Sequence, residues 1–329
     1  METPVRHAQR LIAAAAIAVL ALVTAALAGC SSNDQSVTRP LVVTSTDVWG
    51  SVAKAIVGEF GTVKTLYSSP DGDPHEFNPS ASDSASIADA DIVLMNGAHY
   101  DQYMADATKK SSNADVIDAA SLIGIPAGTD EHEHEHEHGD EHDEDHAGHV
   151  HHSDAPNEHV FYSLTAVRKA ADKLADELAG KAPDHAADYR SHAAEFGKQM
   201  DGLQAKVDGI AAKHRGTKVV QTEPLAGYLI EAAGLVDAAP PAFTAAVENG
   251  QSPSAADRAG FDDLLTSRTA KAILYNTQNT DSVTASVRTT AEKAGVPIVN
   301  LTETLPAGVT SYVDWQGAQI DALAKALDK

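Results

Sequence analysis

The chain has 329 residues, and its 47 Asp and Glu residues against 24 Lys and Arg residues give a formal net charge of −23 at pH 7. This acidic balance excludes nucleic acid as a partner, because a phosphate backbone is bound through clustered basic side chains. Beyond residue 40, where the predicted strands and helices begin, about 290 residues remain, a length that suits two domains better than one.

The N-terminus has the order of a secretory signal. Arg6 and Arg10 precede an apolar run from Leu11 to Leu27, and small residues and Cys30 follow that run. A positive region, an apolar stretch and a small-residue site define such a signal. The alternative is a permanent membrane helix, for which the run is somewhat short, since a bilayer span needs about 20 residues.

The residues around Cys30 favour an anchored protein. Leu-Ala-Gly-Cys, ending at Cys30, resembles the bacterial lipoprotein signal box, and no second cysteine is available for a disulfide. The resemblance implies a signal peptide over residues 1–29, a lipid on Cys30, a tether over 30–40 and a place on the outer face of the cytoplasmic membrane. Acyl chains contribute about 0.8 kcal/mol per buried methylene, so two or more chains would anchor the protein stably.

The first half, residues 41–162, has the pattern of an α/β lobe. Strand-like apolar runs alternate with a helical pattern in which Val48, Val52, Ile56 and Phe60 recur every four residues, and this alternation predicts a mostly parallel sheet. The predicted strands of this half are Leu41–Ser45, Val63–Tyr67 and Asp91–Met95.

Two histidines of this half stand outside the predicted strands. His75 lies between Pro74 and Pro79, which restrict the backbone, so a stiff loop can hold its imidazole in place before a metal arrives. His99 follows the third predicted strand, and we expect it to be a surface or packing residue.

The segment Asp130–His152 holds ten acidic residues and nine histidines without Lys or Arg. It has no apolar periodicity, so we predict a disordered loop. Imidazole and carboxylate are ligands for zinc and related ions. The spacing fixes no single geometry, and we therefore predict a loop that collects metal in interchangeable sites; a solvated acidic spacer or an internal tag is the alternative.

A helical region separates the two halves. His159 lies just before it, and residues 163–215 are predicted to form a linker. Its longer segment, ending near Lys213, carries an apolar stripe on one face, and about 30 residues would span on the order of 45 Å. We expect a long, rigid helix that joins two lobes, although an ordinary surface helix would share the periodicity. The stripe consists of Phe196, Met200, Leu203, Val207 and Ile210.

The second half, residues 216–329, repeats the strand and helix alternation. Glu223 follows its first predicted strand, at the carboxyl end, where open α/β sheets bind ligands. Asp281 follows the strand that ends at Tyr275. Taken singly, each of these acids, like His75 and His159, is a weak candidate for a ligand. The predicted strands are Lys218–Gln221, Ala270–Tyr275 and Pro297–Leu301, with helices at Leu225–Ala233 and Val283–Ala294.

Taken together, these segments resemble the substrate-binding lipoproteins of ABC importers for zinc or manganese. The resemblance extends over the whole chain and includes the lipoprotein box, the Asp-Pro-His motif ending at His75, the acidic histidine-rich insert, the His159 segment, the long helices and the second lobe. It implies two α/β lobes joined by a long helix, with a metal site between them. It places His75 and His159 at ligand positions, and Glu223 where zinc carriers commonly have His and manganese carriers Glu.

The fourth ligand departs from the family pattern. The family has an acid in or just after a segment that resembles Leu274–Asp281, and here Asn276 and Gln278 occupy places where acids are common. We predict Asp281 in this role, with water as the alternative. Two imidazoles and two carboxylates suit zinc at four-coordination, and manganese accepts carboxylates as well.

The predicted function is that of a monomeric, non-enzymatic carrier. Because its histidine-rich loop favours zinc, we expect it to capture Zn²⁺ and deliver it to an importer composed of a permease and an ATPase. The alternatives are a manganese carrier, a metal-dependent adhesin or store, and a zinc hydrolase. Outside the alternating run Glu131–His138, which has no helical apolar periodicity, the sequence has no His-Glu-x-x-His motif, and it has no Gly-x-Ser-x-Gly motif, so a hydrolase is not supported.

Overall fold

The computed structural model describes residues 39–111, 114–126 and 156–329, and Arg39–Lys329 form one compact unit. The predictions for the signal peptide, for Cys30 and for the histidine-rich segment lie outside the described residues. Two four-stranded sheets are present, and every pair of neighbouring strands is parallel. The strands are β1 (Leu41–Thr46), β2 (Thr62–Tyr67), β3 (Ile92–Met95), β4 (Asp115–Asp118), β5 (Lys218–Gln221), β6 (Val236–Asp237), β7 (Ile273–Asn276) and β8 (Ile298–Leu301).

Helices connect the strands, as parallel pairs require. Several begin with a side-chain cap; Ser80, for example, accepts a hydrogen bond from the backbone N–H of Asp83 in a capping box. The helices are α1 (Asp47–Val57), α2 (Ala81–Ala88), α3 (Gln102–Ser111), α4 (Leu164–Lys181), α5 (Ala186–His214), α6 (Gly227–Ala232), α7 (Pro241–Glu248), α8 (Ala255–Thr266), α9 (Ser282–Ala294) and α10 (Tyr312–Leu327).

The two sheets share one topology. Their strand orders are β2-β1-β3-β4 and β6-β5-β7-β8, so the chain runs to one side of the first strand and then crosses to the other. In open α/β sheets, ligands bind beyond the carboxyl ends of the strands at such a reversal. The loops that follow the strands of both sheets are therefore the places to look for a site.

The long predicted helix is α5, which has 29 residues. The predicted apolar stripe is buried, from Phe196 to Ile210. This helix contacts both lobes, because it packs against α1 of the first lobe, against α4 and against α10 of the second lobe. The α/β class and the two parallel sheets are thus confirmed, whereas the domain boundaries drawn from the sequence stay a prediction.

The two lobes are in contact. One hydrophobic cluster contains Trp49 of the first lobe and Trp315 of the second. Hydrogen bonds also cross between them: the backbone N–H of Tyr312 donates to Ser51 Oγ at 2.6 Å, and Leu305 N–H donates to Asp47 Oδ1 at 3.2 Å. None of the helices in the described part of the chain is long and apolar enough to span a bilayer.

Candidate metal site between the lobes

His75 is held by a short turn in the loop after β2. Pro74–Glu76 form a single 3₁₀ turn, and the Asp73 carboxylate caps it by accepting a hydrogen bond from His75 N–H at 2.8 Å. Proline at the first position of the turn has no N–H to satisfy there. The imidazole is 26% exposed, so this side chain lies near the solvent side of the site.

His159 is fully buried and has its ring orientation fixed. Both its backbone N–H (2.9 Å) and its ring Nδ1 (3.0 Å) contact the side-chain oxygen of Asn157. An amide oxygen only accepts, so Nδ1 carries the proton and Nε2 presents a lone pair. Nε2 has no hydrogen-bond partner among the described residues. A neutral imidazole whose second nitrogen is held in this way has the form in which histidine binds metals.

Glu303 follows β8 and points to the same place. Its side chain is 1% exposed, and it accepts hydrogen bonds from Tyr100 OH at 2.9 Å and from Asn276 Nδ2 at 2.8 Å. Its backbone N–H donates to the side-chain oxygen of Gln278 at 2.6 Å. A carboxylate oriented by neutral donors from both lobes is thus fixed in one position.

The two histidines and Glu303 converge from separate loops, with their donor atoms within 4.8 Å of one another. Glu303 Oε2 lies 3.3 Å from Nε2 of His75 and 3.7 Å from Nε2 of His159. Two ligands of one tetrahedral zinc, at bond lengths of about 2.0–2.2 Å, are about 3.3–3.6 Å apart. The spacing therefore fits a four-coordinate divalent ion with little movement of the side chains.

Glu223 lies beside this group, at the carboxyl end of β5. It is 2% exposed, and its two carboxylate oxygens accept hydrogen bonds from the amides of Asn276 and Asn279, the latter at 2.7 Å. The Asn276 amide serves both Glu223 and Glu303, so one residue positions two carboxylates. Each carboxylate oxygen has a second lone pair, and these hydrogen bonds leave that lone pair available to a metal.

Two further glutamates contact the group from its more exposed side. Glu248 ends α7, and its Oε1 lies 3.5 Å from Nε2 of His75 and 3.6 Å from Nε2 of His159. Both of its oxygens are buried and lack a hydrogen-bond partner within the described ranges. Glu158, which is half-buried, forms a second group with His75 and Glu248 whose donor atoms also lie within 4.8 Å of one another.

Asp281 is placed differently. It is the N-cap of α9, and its carboxylate accepts hydrogen bonds from the backbone N–H (2.7 Å) and the hydroxyl (3.0 Å) of Thr284. It belongs to neither group of donor atoms in the described part of the chain. The structure thus brings His75 and His159 together and uses Asp281 to begin a helix. Glu223 is also outside both groups, but the Asn276 amide that it shares with Glu303 places it next to that carboxylate. His99 is exposed and likewise belongs to neither group.

The pKa values of His75, Glu303 and His159 are shifted, so that His75 is protonated, Glu303 is ionised and His159 is neutral at pH 7. Burial would lower the pKa of His75, but the hydrogen bond and charge of Glu303 raise it to about 10. Burial would raise the pKa of Glu303, but its hydrogen bond with His75 and the neighbouring His159 bring it below its usual value. Burial lowers the pKa of His159 to about 4, so that this imidazole is neutral at pH 7.

The carboxyls of Glu223 and Glu248 hold protons at pH 7 when no metal is bound. Burial, reinforced by the charge of Glu303, raises the pKa of Glu223 to about 8. Burial, reinforced by Glu223, raises the pKa of Glu248 to about 10. Buried carboxyls at such density stay neutral unless positive charge arrives, which is the electrostatic condition of a divalent cation site.

Sequence reasoning missed three residues of the site, Glu303, Glu248 and Glu158. Glu303 lies two residues beyond Leu301, the last residue of a correctly predicted strand, and the carboxyl-end rule that selected Glu223 would have selected it as well. Glu248 carries no comparable signal, because it is the last residue of a largely apolar helix.

Comparison with known proteins places the chain in a family. The family model described as "Zinc-uptake complex component A periplasmic" (ZnuA) matches residues 42–326. The manganese-binding lipoprotein MntA of Halalkalibacterium halodurans is 25% identical over 194 residues, which are 57% of this chain and 55% of that protein. The high-affinity zinc uptake system protein ZnuA of Bacillus subtilis is 26% identical over 280 residues, 83% of each chain.

Solved structures of other proteins have the same fold as this chain. The substrate-binding protein FpvC of Pseudomonas aeruginosa, solved with Mn²⁺, superposes with a TM-score of 0.66 at 20% identity, covering 88% of this chain and 99% of FpvC. The match to the family extends over both lobes and includes every residue of the site described above. The chain therefore belongs to the ZnuA family, the periplasmic component A of zinc-uptake complexes.

Proposed function

We propose that this chain is an extracytoplasmic, lipid-anchored binding protein that captures Zn²⁺ between its lobes and delivers it to an ABC-type importer. The observation that carries the proposal is the His159 imidazole: its Nε2 lone pair is buried, lacks a partner in the described residues and lies 3.7 Å from the Glu303 carboxylate. Two electron-rich groups facing each other in a buried space are unfavourable unless a cation lies between them.

The proposed ligands are His75, His159, Glu303 and Glu223, one or more from each lobe. All but His75 are almost fully buried. The proposal replaces Asp281 with Glu303 because Glu303 lies among the imidazoles, whereas Asp281 caps α9. Because ligands come from both lobes, the ion stabilises the closed arrangement, which an importer can distinguish from an open one.

Zinc is proposed over manganese on two grounds. The family description names zinc uptake, and divalent zinc lies well above manganese in the affinity order for nitrogen and oxygen ligands. The glutamate at position 223 is the argument for the alternative, a manganese carrier, since carboxylates suit manganese better than imidazoles do. Relatives of both kinds match the chain.

The proposal has three further parts. The protein is a monomer, it is anchored through Cys30, and it delivers the ion to a permease and its ATPase. A hydrolase would need an open metal position and a free base beside it. Here the proposed set already supplies four donors, and the proposal is therefore a carrier without catalysis. Adhesion is the further alternative, and no described contact favours it.

The experiment is a competition titration of the full chain against a calibrated chelator, with Zn²⁺ and with Mn²⁺. Glu303→Gln keeps the size of the side chain but removes its charge, and it should weaken Zn²⁺ binding by more than about 100-fold, beyond what loss of a supporting hydrogen bond costs. Glu231→Gln makes the same change at an exposed position of α6 and should bind like the parent. Tighter binding of Mn²⁺ than of Zn²⁺ would reject zinc as the cargo, and full affinity in Glu303→Gln would reject the site.

A further inference from the structure

His75 belongs to two groups of donor atoms. The deeper group joins it to His159 and Glu303, whose side chains are 0% and 1% exposed. The shallower group joins it to Glu158 and Glu248. Glu248 is 12% exposed and Glu158 is half-buried, so this second group lies closer to solvent than the first.

The shallower group has the chemistry of a cation site. Glu248 presents two buried oxygens without a hydrogen-bond partner in the ranges described, and Glu158 faces it with a second carboxylate. Two carboxylates and an imidazole within 4.8 Å offer oxygen-rich coordination to a divalent ion that still keeps some of its water. The deeper group offers two imidazoles and the buried carboxylate of Glu303 to an ion that has lost its water.

The backbone of Glu158 is fixed by hydrogen bonds, which hold its side chain beside Glu248. Its carbonyl oxygen accepts hydrogen bonds from Asn96 Nδ2 at 2.7 Å and from Val160 N–H at 2.8 Å. The neighbouring residue is His159 itself. The chain therefore places one donor of the shallow group and one donor of the deep group on adjacent, firmly held residues.

We propose that Glu158, Glu248 and His75 form an entry position for the divalent cation, from which the ion passes to the buried position while it stays bound to His75. This inference rests on the proposed function. In the transfer, the bonds from the ion to Glu158 and Glu248 break, bonds to His159, Glu303 and Glu223 form, and the remaining water is displaced. Release follows the same steps in reverse, so the entry position sets the rate of exchange rather than the final affinity.

The test measures release from the tight site. The full chain is loaded with one equivalent of Zn²⁺ and mixed with a large excess of a chelating dye, and the slow phase reports the buried ion. In Glu158→Gln the rate of the slow phase should fall about tenfold, while the Kd from chelator competition changes less than about threefold, because a change at the rim acts on rates. The matched control is Glu76→Gln, an exposed glutamate beside His75 that belongs to neither group.

The outcomes separate the two proposals. A slow phase that is unchanged in Glu158→Gln, or equal to that of Glu76→Gln, would overturn the entry position, since electrostatic attraction alone would affect both variants alike. Faster release with weaker affinity would also overturn it, because Glu158 would then only keep the buried site closed. If Glu303→Gln retained tight binding, the proposed function itself would fail, whatever the result at Glu158. A melting curve of the metal-free variant establishes that Glu158→Gln is folded.

Discussion

Metal binding should release protons from the site, and the structure gives their number. A ligand must be unprotonated to coordinate a metal. In the metal-free protein at pH 7, His75 with a pKa of about 10 is protonated, and Glu223 with a pKa of about 8 is mostly protonated. His159 is already neutral and Glu303 already ionised, so neither contributes. The four proposed ligands should therefore release between one and two protons for each ion that binds.

The direction of the pH dependence follows from the raised pKa values. Because both groups hold protons above their ordinary pKa, raising the pH removes a competitor of the metal, and affinity should increase until the pH reaches about 8 for Glu223 and about 10 for His75. Each released proton contributes about 1.36 kcal/mol, or tenfold in Kd, per pH unit. Between pH 6 and pH 7 the Kd for Zn²⁺ should thus fall by about 10- to 100-fold.

Isothermal titration with the first equivalent of Zn²⁺ measures the protons directly. The apparent enthalpy is compared at pH 7 in two buffers with different ionisation enthalpies, and the difference gives the number released. Glu223→Gln should lower that number by up to about one, whereas Glu76→Gln should leave it unchanged. An enthalpy that does not depend on the buffer, together with a Kd that is equal at pH 6 and pH 7, would refute the protonation states assigned to His75 and Glu223.

Three further predictions concern residues around the ligands. Asp281→Ala should lower the free energy of unfolding by about 0.5–2 kcal/mol in thermal or urea melts, because a helix cap is lost. An unchanged Kd for Zn²⁺ would support the role of Asp281 as a cap. A large loss of Zn²⁺ affinity would instead make Asp281 a ligand. Tyr100→Phe removes a hydrogen bond to Glu303 and should weaken Zn²⁺ binding by about 10-fold in chelator competition. Asn157→Ala removes the hydrogen bond that holds the ring of His159 and should weaken Zn²⁺ binding by about 10- to 100-fold. Unchanged affinity in Tyr100→Phe or in Asn157→Ala would mean that the deleted hydrogen bond does not orient Glu303 or His159, respectively.

The fold could be predicted from the sequence because its periodicities are strong. The stripe from Phe196 to Ile210 is a buried face of α5, and the apolar runs at residues 41–45 and 91–95 are central strands. The edge strands β4 and β6 were not predicted. Asp115–Asp118 has an aspartate at each end and only two apolar residues between them, and β6 has two residues, so neither carries enough pattern to identify a strand.

The site could be predicted only in part, since its members are far apart in the sequence. His75 and Glu223 follow predicted strands, and sheet topology explains why each lies at the carboxyl end of its sheet, where ligands bind. Asp281 also follows a strand, but a carboxylate three residues before Thr284 is equally suited to begin a helix, and that local hydrogen bond is what the structure shows. A one-dimensional pattern does not distinguish these two uses of an acid.

Gln278 links the metal site to the contact between the lobes. Its side-chain oxygen accepts hydrogen bonds from the backbone N–H groups of Glu303 (2.6 Å) and Thr304 (3.2 Å), and its Nε2 donates to the carbonyl of Pro70 at 3.0 Å, in the loop that leads to His75. Pulling the lobes apart must therefore strain the same amide that steadies Glu303. Separation of the lobes and loosening of Glu303 would then be coupled, both through this amide and through the Tyr100 hydrogen bond that also crosses between the lobes.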